Sequence, residues 1–390
     1  MATNPDSEHD DREHAADAAA ARGDLAGARA LLEQIVALRP KHIDAWLKLA
    51  GARRAAGDLE GAIDAANRAL TVDPLHVLAL LTRGRILEGA GRPRQAARDY
   101  IYALAQNGAD HAALPPQLQP LVAHARTMAE RYRDWTAAQW DTAIADLSLN
   151  RDRRERIERF KTNALRRTRV YHSEPTHYHY PGLIEREFHE RDDFSWSTRF
   201  EAATDAIRAE MAALVASDTA VSEPYVQYEN EPLRQWAALN HSLDWTAFHL
   251  LKGGKTIEDN ARRCPATMAA LSCLPQPRLV GRGPNAMFSL LKPRTRIPPH
   301  NGVSNTRLVC HLPLVVPPDC WFRVGAETRA WREGELVIFD DTIEHEAAND
   351  GDQPRVVLIF DIWHPGLDEA ERSAVTRLMD MDEEIDGATL

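Results

Sequence analysis

The stretch "PPHNGVSNTRLVCHLPLVV", residues 298–316, decides how the second half of this chain folds. From Arg307 onward its side chains alternate: Arg307, Val309 and His311 fall on one face, Leu308, Cys310 and Leu312 on the other. A polar group on an otherwise apolar face is costly unless it meets a partner, so Arg307 and His311 point to a lined cavity. The neighbouring runs "AMFSLL", "CWFRVG", "TRAW", "ELVIFDD" and "RVVLIFDIW" are short, β-rich and separated by Pro, Gly and Asp. Along the last of them, Arg355 shares a face with Val357, Ile359, Asp361 and Trp363. So many short strands in so little chain predict a compact β-sandwich or jelly roll, one way of limiting exposed sheet edges.

The N-terminal third follows a different rule. Gly23-Asp24-Leu25, Gly57-Asp58-Leu59 and Gly91-Arg92-Pro93 lie 34 residues apart, and Ala28, Ala62 and Ala96 keep the same period, as do Pro40 and Pro74. Between these marks apolar residues recur at helical spacing. Helix pairs repeating every 34 residues are similar to tetratricopeptide repeats, in which each repeat buries its apolar face on the next. Such a solenoid suits a protein or peptide partner. The expected organisation is therefore multidomain α + β. It runs as an acidic disordered tail (1–12), an α-helical tetratricopeptide solenoid (13–110), a helical connector (111–170), the jelly-roll domain (171–370) and an acidic C-terminal tail (371–390).

Composition bounds the function. With 390 residues, 44% hydrophobic and 27% charged, the chain is a soluble globular type too long for one core. A net charge of −11 disfavours nucleic acid or an acidic membrane as main partner. No apolar run reaches bilayer length, and the start "MATNPDSEHDDREH" lacks the features of a secretory signal. The four cysteines show no C-x-x-C pattern, which fits free thiols in a reducing cytoplasm, although a Cys264–Cys273 bridge is conceivable.

The candidate site centres on His300 and His345, one before a strand and one after "VIFDD", both placed to reach the mouth of one barrel. The position two after His300, where a metal-binding carboxylate often sits, is Gly302. Arg355, ten residues beyond His345, is placed to grip the far carboxylate of a dicarboxylate, with Ser289 donating to the same group and His311 near its other end. Each residue also has a plainer reading. His300 and His345 suit solvated loops, Arg355 suits an ion pair with Asp352 or Asp361, and Asp340 and Asp341 suit turn chemistry. His177 and His179 in "THYHYPGL" read as an entry loop, and His364 as a structural residue closing the last strand.

In "FSLLKP", "PPHNGVSNTRLVCHLPLVVP", "RVGAETRAWREGELVIFDDTIEHEAAND" and "RVVLIFDIWHP" the chain resembles the aspartyl/asparaginyl β-hydroxylases. The likeness extends more weakly through "YPGLIEREFHERDDFSW" and "LKGGKTIEDNARRCPAT", covering roughly residues 170–370. It implies a double-stranded β-helix and an Fe(II)- and 2-oxoglutarate-dependent dioxygenase that uses O2, with only His300 and His345 as metal ligands and glycine at the usual carboxylate position. It further implies Ser289, His311 and Arg355 as 2-oxoglutarate contacts and Arg307 as a substrate contact. The implied reaction hydroxylates the β-carbon of Asp or Asn in a peptide or protein. Val309 and Ala348 depart from residues common in that family and are expected to alter the pocket wall. Alternatives are hydroxylation of a small molecule, free amino acid or lipid acyl chain, and a non-enzymatic adaptor with an inactive jelly roll.

Overall fold

A computed structural model of the chain describes residues 5–106, 115–216, 222–229 and 236–386. It divides into two compact units between Leu165 and Arg166.

The first unit is helical: α1 (Pro5–Ala21), α2 (Leu25–Leu38), α3 (Ile43–Ala55), α4 (Leu59–Val72), α5 (Val77–Gly89), α6 (Pro93–Gln106), α7 (Gln119–Ala143) and α8 (Arg151–Ala164). Each helix from α1 to α6 packs on its successor. The period-34 residues do the same work at each repeat. Gly23, Gly57 and Gly91 take φ of +79°, +81° and +72°, the left-handed conformation that lets the chain turn between helices. Asp24 and Asp58 then cap the following helices by accepting from the backbone N–H of Gly27 and Gly61. His42 and His76 cap α3 and α5 in the same way through Nδ1. Ala28, Ala62 and Ala96 are fully buried where helices approach closely.

Three expected boundaries shift. The described part of the N-terminal tail is helical from Pro5. The connector belongs to the first unit, where Val122 and Ala125 of α7 join the repeat core. The C-terminal tail is the helix α13 (Glu369–Asp386), because Val375 and Met379 pack against Leu279, Trp363 and Leu367.

The second unit contains β1 (Phe188–His189), α9 (Ser197–Glu201), α10 (Thr204–Val215), β2 (Glu223–Pro224), β3 (Trp245–Lys252), β4 (Lys255–Thr256), α11 (Glu258–Ala261) and α12 (Pro265–Leu271). These precede β5 (Ala286–Leu291), β6 (Thr295–His300), β7 (Arg307–Val315), β8 (Cys320–Val324), β9 (Glu327–Arg329), β10 (Val337–Phe339), β11 (His345–Asn349) and β12 (Arg355–Trp363). The strands form two antiparallel sheets. The larger has the order β1-β10-β7-β12-β5-β3-β2, with β4 on β3, and the smaller has β6-β11-β8-β9. From β5 to β12 the chain crosses back and forth between the sheets, as the expected double-stranded β-helix requires.

Alternation along β7 and β12 sorts two cores. Leu308, Cys310, Leu312, Leu358 and Phe360 face outward onto the helical layer, meeting Phe200 of α9, Ile207 of α10 and Leu271 of α12. Val309, Val357 and Ile359 face inward onto Ile297, Phe322 and Ala347 of the smaller sheet. Trp363, expected on the inward face with Arg355, instead joins the cluster under α13. Each fully buried large apolar side chain contributes about 1.5–3 kcal/mol to holding these layers together.

Candidate active site

His300 ends β6 and His345 begins β11, and the two are directly opposed across the antiparallel pair. Opposed residues share a sheet face, so the imidazoles lie side by side with centroids 3.9 Å apart. Trp236 meets His300 edge-on at 4.7 Å. The Nδ1 of His300 is 2.8 Å from the Pro298 carbonyl and that of His345 is 3.1 Å from the Ile343 carbonyl. A carbonyl only accepts, so each Nδ1 carries the proton and each Nε2 keeps its lone pair. Burial, reinforced by His345, depresses His300 to a pKa of about 3. Burial also depresses His345, to about 4. Two neutral imidazoles with free Nε2 atoms, each oriented by a backbone carbonyl, form a donor set suited to a divalent transition metal.

No cluster of three His, Cys, Asp or Glu side chains with metal-holding geometry occurs among the described residues. The reason lies at Gly302. A β-carbon there would collide with the carboxylate of Asp341. The space that a residue at 302 would fill is therefore taken by an acidic side chain from elsewhere in the chain. Asp341 Oδ2 accepts from Arg307 Nη2 at 2.9 Å, while Oδ1 is buried without a partner. The turn reading suits Asp340, which accepts from the Thr342 N–H and hydroxyl. It fails for Asp341.

Arg355, the first residue of β12, is 1% exposed. Its Nη2 donates to Ser289 Oγ at 3.4 Å, its guanidinium lies 4.7 Å over the Trp331 ring, and its Nε has no partner. Asp352 pairs instead with Arg294, and Asp361 with Arg307. Burial lowers the Arg355 pKa to about 10. Ser289 Oγ also accepts from Trp245 Nε1 at 2.9 Å, so its own hydrogen is left to donate. His311, on neighbouring β7, is held neutral by burial and then by Arg355, and its Nδ1 is buried without a partner. A buried cation with an orphaned N–H, a spare hydroxyl hydrogen and an orphaned imidazole nitrogen together fit a carboxylate-bearing ligand.

Ser289, His300, Arg307, His311, His345 and Arg355, the six residues singled out from the sequence, line one cavity of about 670 Å³. That is the size range of small-molecule sites. Sequence reasoning missed the aromatic wall of Tyr225, Trp236 and Trp245, which comes from residues 222–245, where no periodicity marks an inward face. It also missed Trp331 under Arg355. Val309 lines the cavity as expected, but Ala348 does not. Alternation along β11 keeps Ala347, two residues on from His345, on the cavity wall and turns Ala348 to the other face.

Outside the cavity, His177 and His179 border a separate pocket beside α13. His364 is buried and its Nδ1 accepts from the Gly366 N–H, a structural role. All four cysteines are free, so Cys264 and Cys273 are not bridged. No helix among the described residues is long and apolar enough to cross a membrane.

Residues 201–365 match the family described as aspartyl/asparaginyl beta-hydroxylase, and residues 19–86 match the tetratricopeptide repeat. Human aspartate beta-hydroxylase domain-containing protein 2 is 38% identical over 158 residues, covering 39% of this chain and 42% of that protein. Human aspartyl/asparaginyl beta-hydroxylase is 37% identical over 133 residues, covering 34% of this chain and 17% of that protein. The matched segment thus spans less than half the length of either relative. Among solved structures, the Yersinia enterocolitica type III secretion chaperone SycD in complex with a peptide of the translocator YopD aligns at 16% identity. That match has a TM-score of 0.31 and covers 34% of this chain and 97% of that one. The chain thus joins a helical segment that matches the tetratricopeptide repeat to a domain similar to the aspartyl/asparaginyl β-hydroxylases.

Proposed function

We propose that this protein is an Fe(II)- and 2-oxoglutarate-dependent dioxygenase that hydroxylates an unactivated carbon. The expected target is the β-carbon of Asp or Asn in a peptide or protein. The observation that carries the reading is the placement of Arg355, buried without a carboxylate partner, in the same cavity as two neutral, oriented imidazoles. His300 and His345 would hold the metal through Nε2. Arg355 and Ser289 would hold the far carboxylate of 2-oxoglutarate, and His311 would face its other end. Bound Fe(II), with 2-oxoglutarate and O2, supplies the oxidising chemistry, while the chain binds, orients and excludes water. Arg307, which lines the same cavity, would contact the substrate. The solenoid would recruit a polypeptide. Four free cysteines support a cytoplasmic setting.

Succinate formation from 2-oxoglutarate with Fe(II) tests the reading, with His345→Ala as control. Iron-dependent succinate that disappears in the variant is expected. No iron-dependent turnover, together with no iron bound by the parent chain, would favour the adaptor alternative.

A further inference from the structure

Among the described residues, three side chains that are cations at neutral pH line the cavity: Lys252, Arg307 and Arg355. Lys252 sits 3.0 Å from Glu223 and is half exposed. Arg307 lies between two acids, 2.9 Å from Asp341 and 3.8 Å from Asp361. Both carboxylates are fixed, Asp341 against Gly302 and Asp361 by the backbone N–H and side-chain amide of Asn285. Burial works against the charge on Arg307, yet Asp341 and then Asp361 outweigh it and its pKa is raised. Arg355 alone has no acid. The cavity therefore has one place that requires an anion, and the proposed function assigns 2-oxoglutarate to it.

We infer that the substrate group held beside Arg307 is uncharged: a primary amide or an apolar side chain, not a carboxylate. Arg307 already shares its charge between two acids, so a third carboxylate there meets net repulsion and loses its hydration. An amide carbonyl can still accept one of the guanidinium N–H groups that Asp341 leaves free. The walls agree, since Tyr225, Trp236, Met287, Val309 and Ile359 line the same cavity with largely apolar side chains. The substrate class narrows to peptides that offer a neutral residue, such as Asn or an aliphatic side chain, at the reacting position.

This inference rests on the oxygenase reading, so its test separates the two. The full chain, with Mn(II) as a redox-silent stand-in, is first titrated calorimetrically with 2-oxoglutarate. Binding that Arg355→Leu abolishes supports the function itself, and its absence sinks the function and this inference together. The chain saturated with 2-oxoglutarate is then titrated with blocked N-acetyl N-methylamides of Asp, Asn and Leu. Binding of the Asn and Leu probes at least tenfold tighter than the Asp probe is expected. Asp361→Asn should improve binding of the Asp probe at least fivefold and leave the Asn probe unchanged. Asp341→Asn provides a second variant should the first fold poorly. An Asp probe that binds the parent chain as tightly as the others, or failure of all three to bind while 2-oxoglutarate does, overturns the inference.

Discussion

Arg355 is a buried charge with no acid to meet it, and such a group costs stability until an anion arrives. Replacing it by Leu should act in opposite directions on two observables. The ligand-free chain should melt at a higher temperature than the parent. Calorimetric affinity for 2-oxoglutarate should fall at least about 30-fold, the lower end of what removing a buried charge partner costs. Equal affinity in parent and variant would remove Arg355 from the site. Gly302 allows an equally sharp test. An aspartate there looks at first like restoration of a missing ligand, but it must displace Asp341, whose side chain is only 10% exposed and held by Arg307. Gly302→Asp should therefore lower stability by about 1–3 kcal/mol without tightening iron binding. The double variant Gly302→Asp/Asp341→Gly should recover much of the loss. A single variant that is as stable as the parent and binds iron more tightly would show that the space is open.

At the scale of elements, what the sequence made legible followed from periodicity. Alternation along β7 placed Arg307, Val309 and His311 on the cavity side and Leu308, Cys310 and Leu312 on the helical side, as found. Ala348 was assigned to the wall from the family resemblance, whereas period two along β11, counted from His345, gives that place to Ala347. Period two does not encode which distant segments border the cavity, so Tyr225, Trp236 and Trp245 went unseen. Asp341 was read as turn chemistry for a third reason, because its contact with Gly302 joins residues far apart in the chain. The end of the larger sheet carries its own pH dependence. His189 of β1 packs edge-on against His364 at 5.6 Å. Burial, then His364 and Arg186, depress the His189 pKa to about 3. Its folded pKa lies below its unfolded value, so its contribution is fully present above about pH 6.5 and is lost as pH falls toward 3. His189→Phe should flatten the loss of melting temperature between pH 7 and pH 5. Each pH unit below 6.5 is worth on the order of 1 kcal/mol for this one group. Parallel curves for parent and variant would assign the acid sensitivity elsewhere.

For the whole molecule, each unit has its own apolar core: one along the repeats, and two on either face of the larger sheet. Scanning calorimetry of the full chain should resolve two transitions. Mn(II) with 2-oxoglutarate at about 100 times its Kd should raise only one of them, by roughly 2.7 kcal/mol of added stability. A common shift of both would mean that the units unfold as one. The conformational sameness of Gly23, Gly57 and Gly91 has a further effect on how this chain can change in length. Excising Asp24–Gly57 leaves Gly23 followed by Asp58, the same glycine–aspartate junction, with the same turn and the same cap downstream. The solenoid is thus quantised: it can lose or gain whole repeats while every surviving seam keeps its geometry. A deletion one residue longer turns each later side chain by about 100° around its helix and takes the buried alanines out of phase.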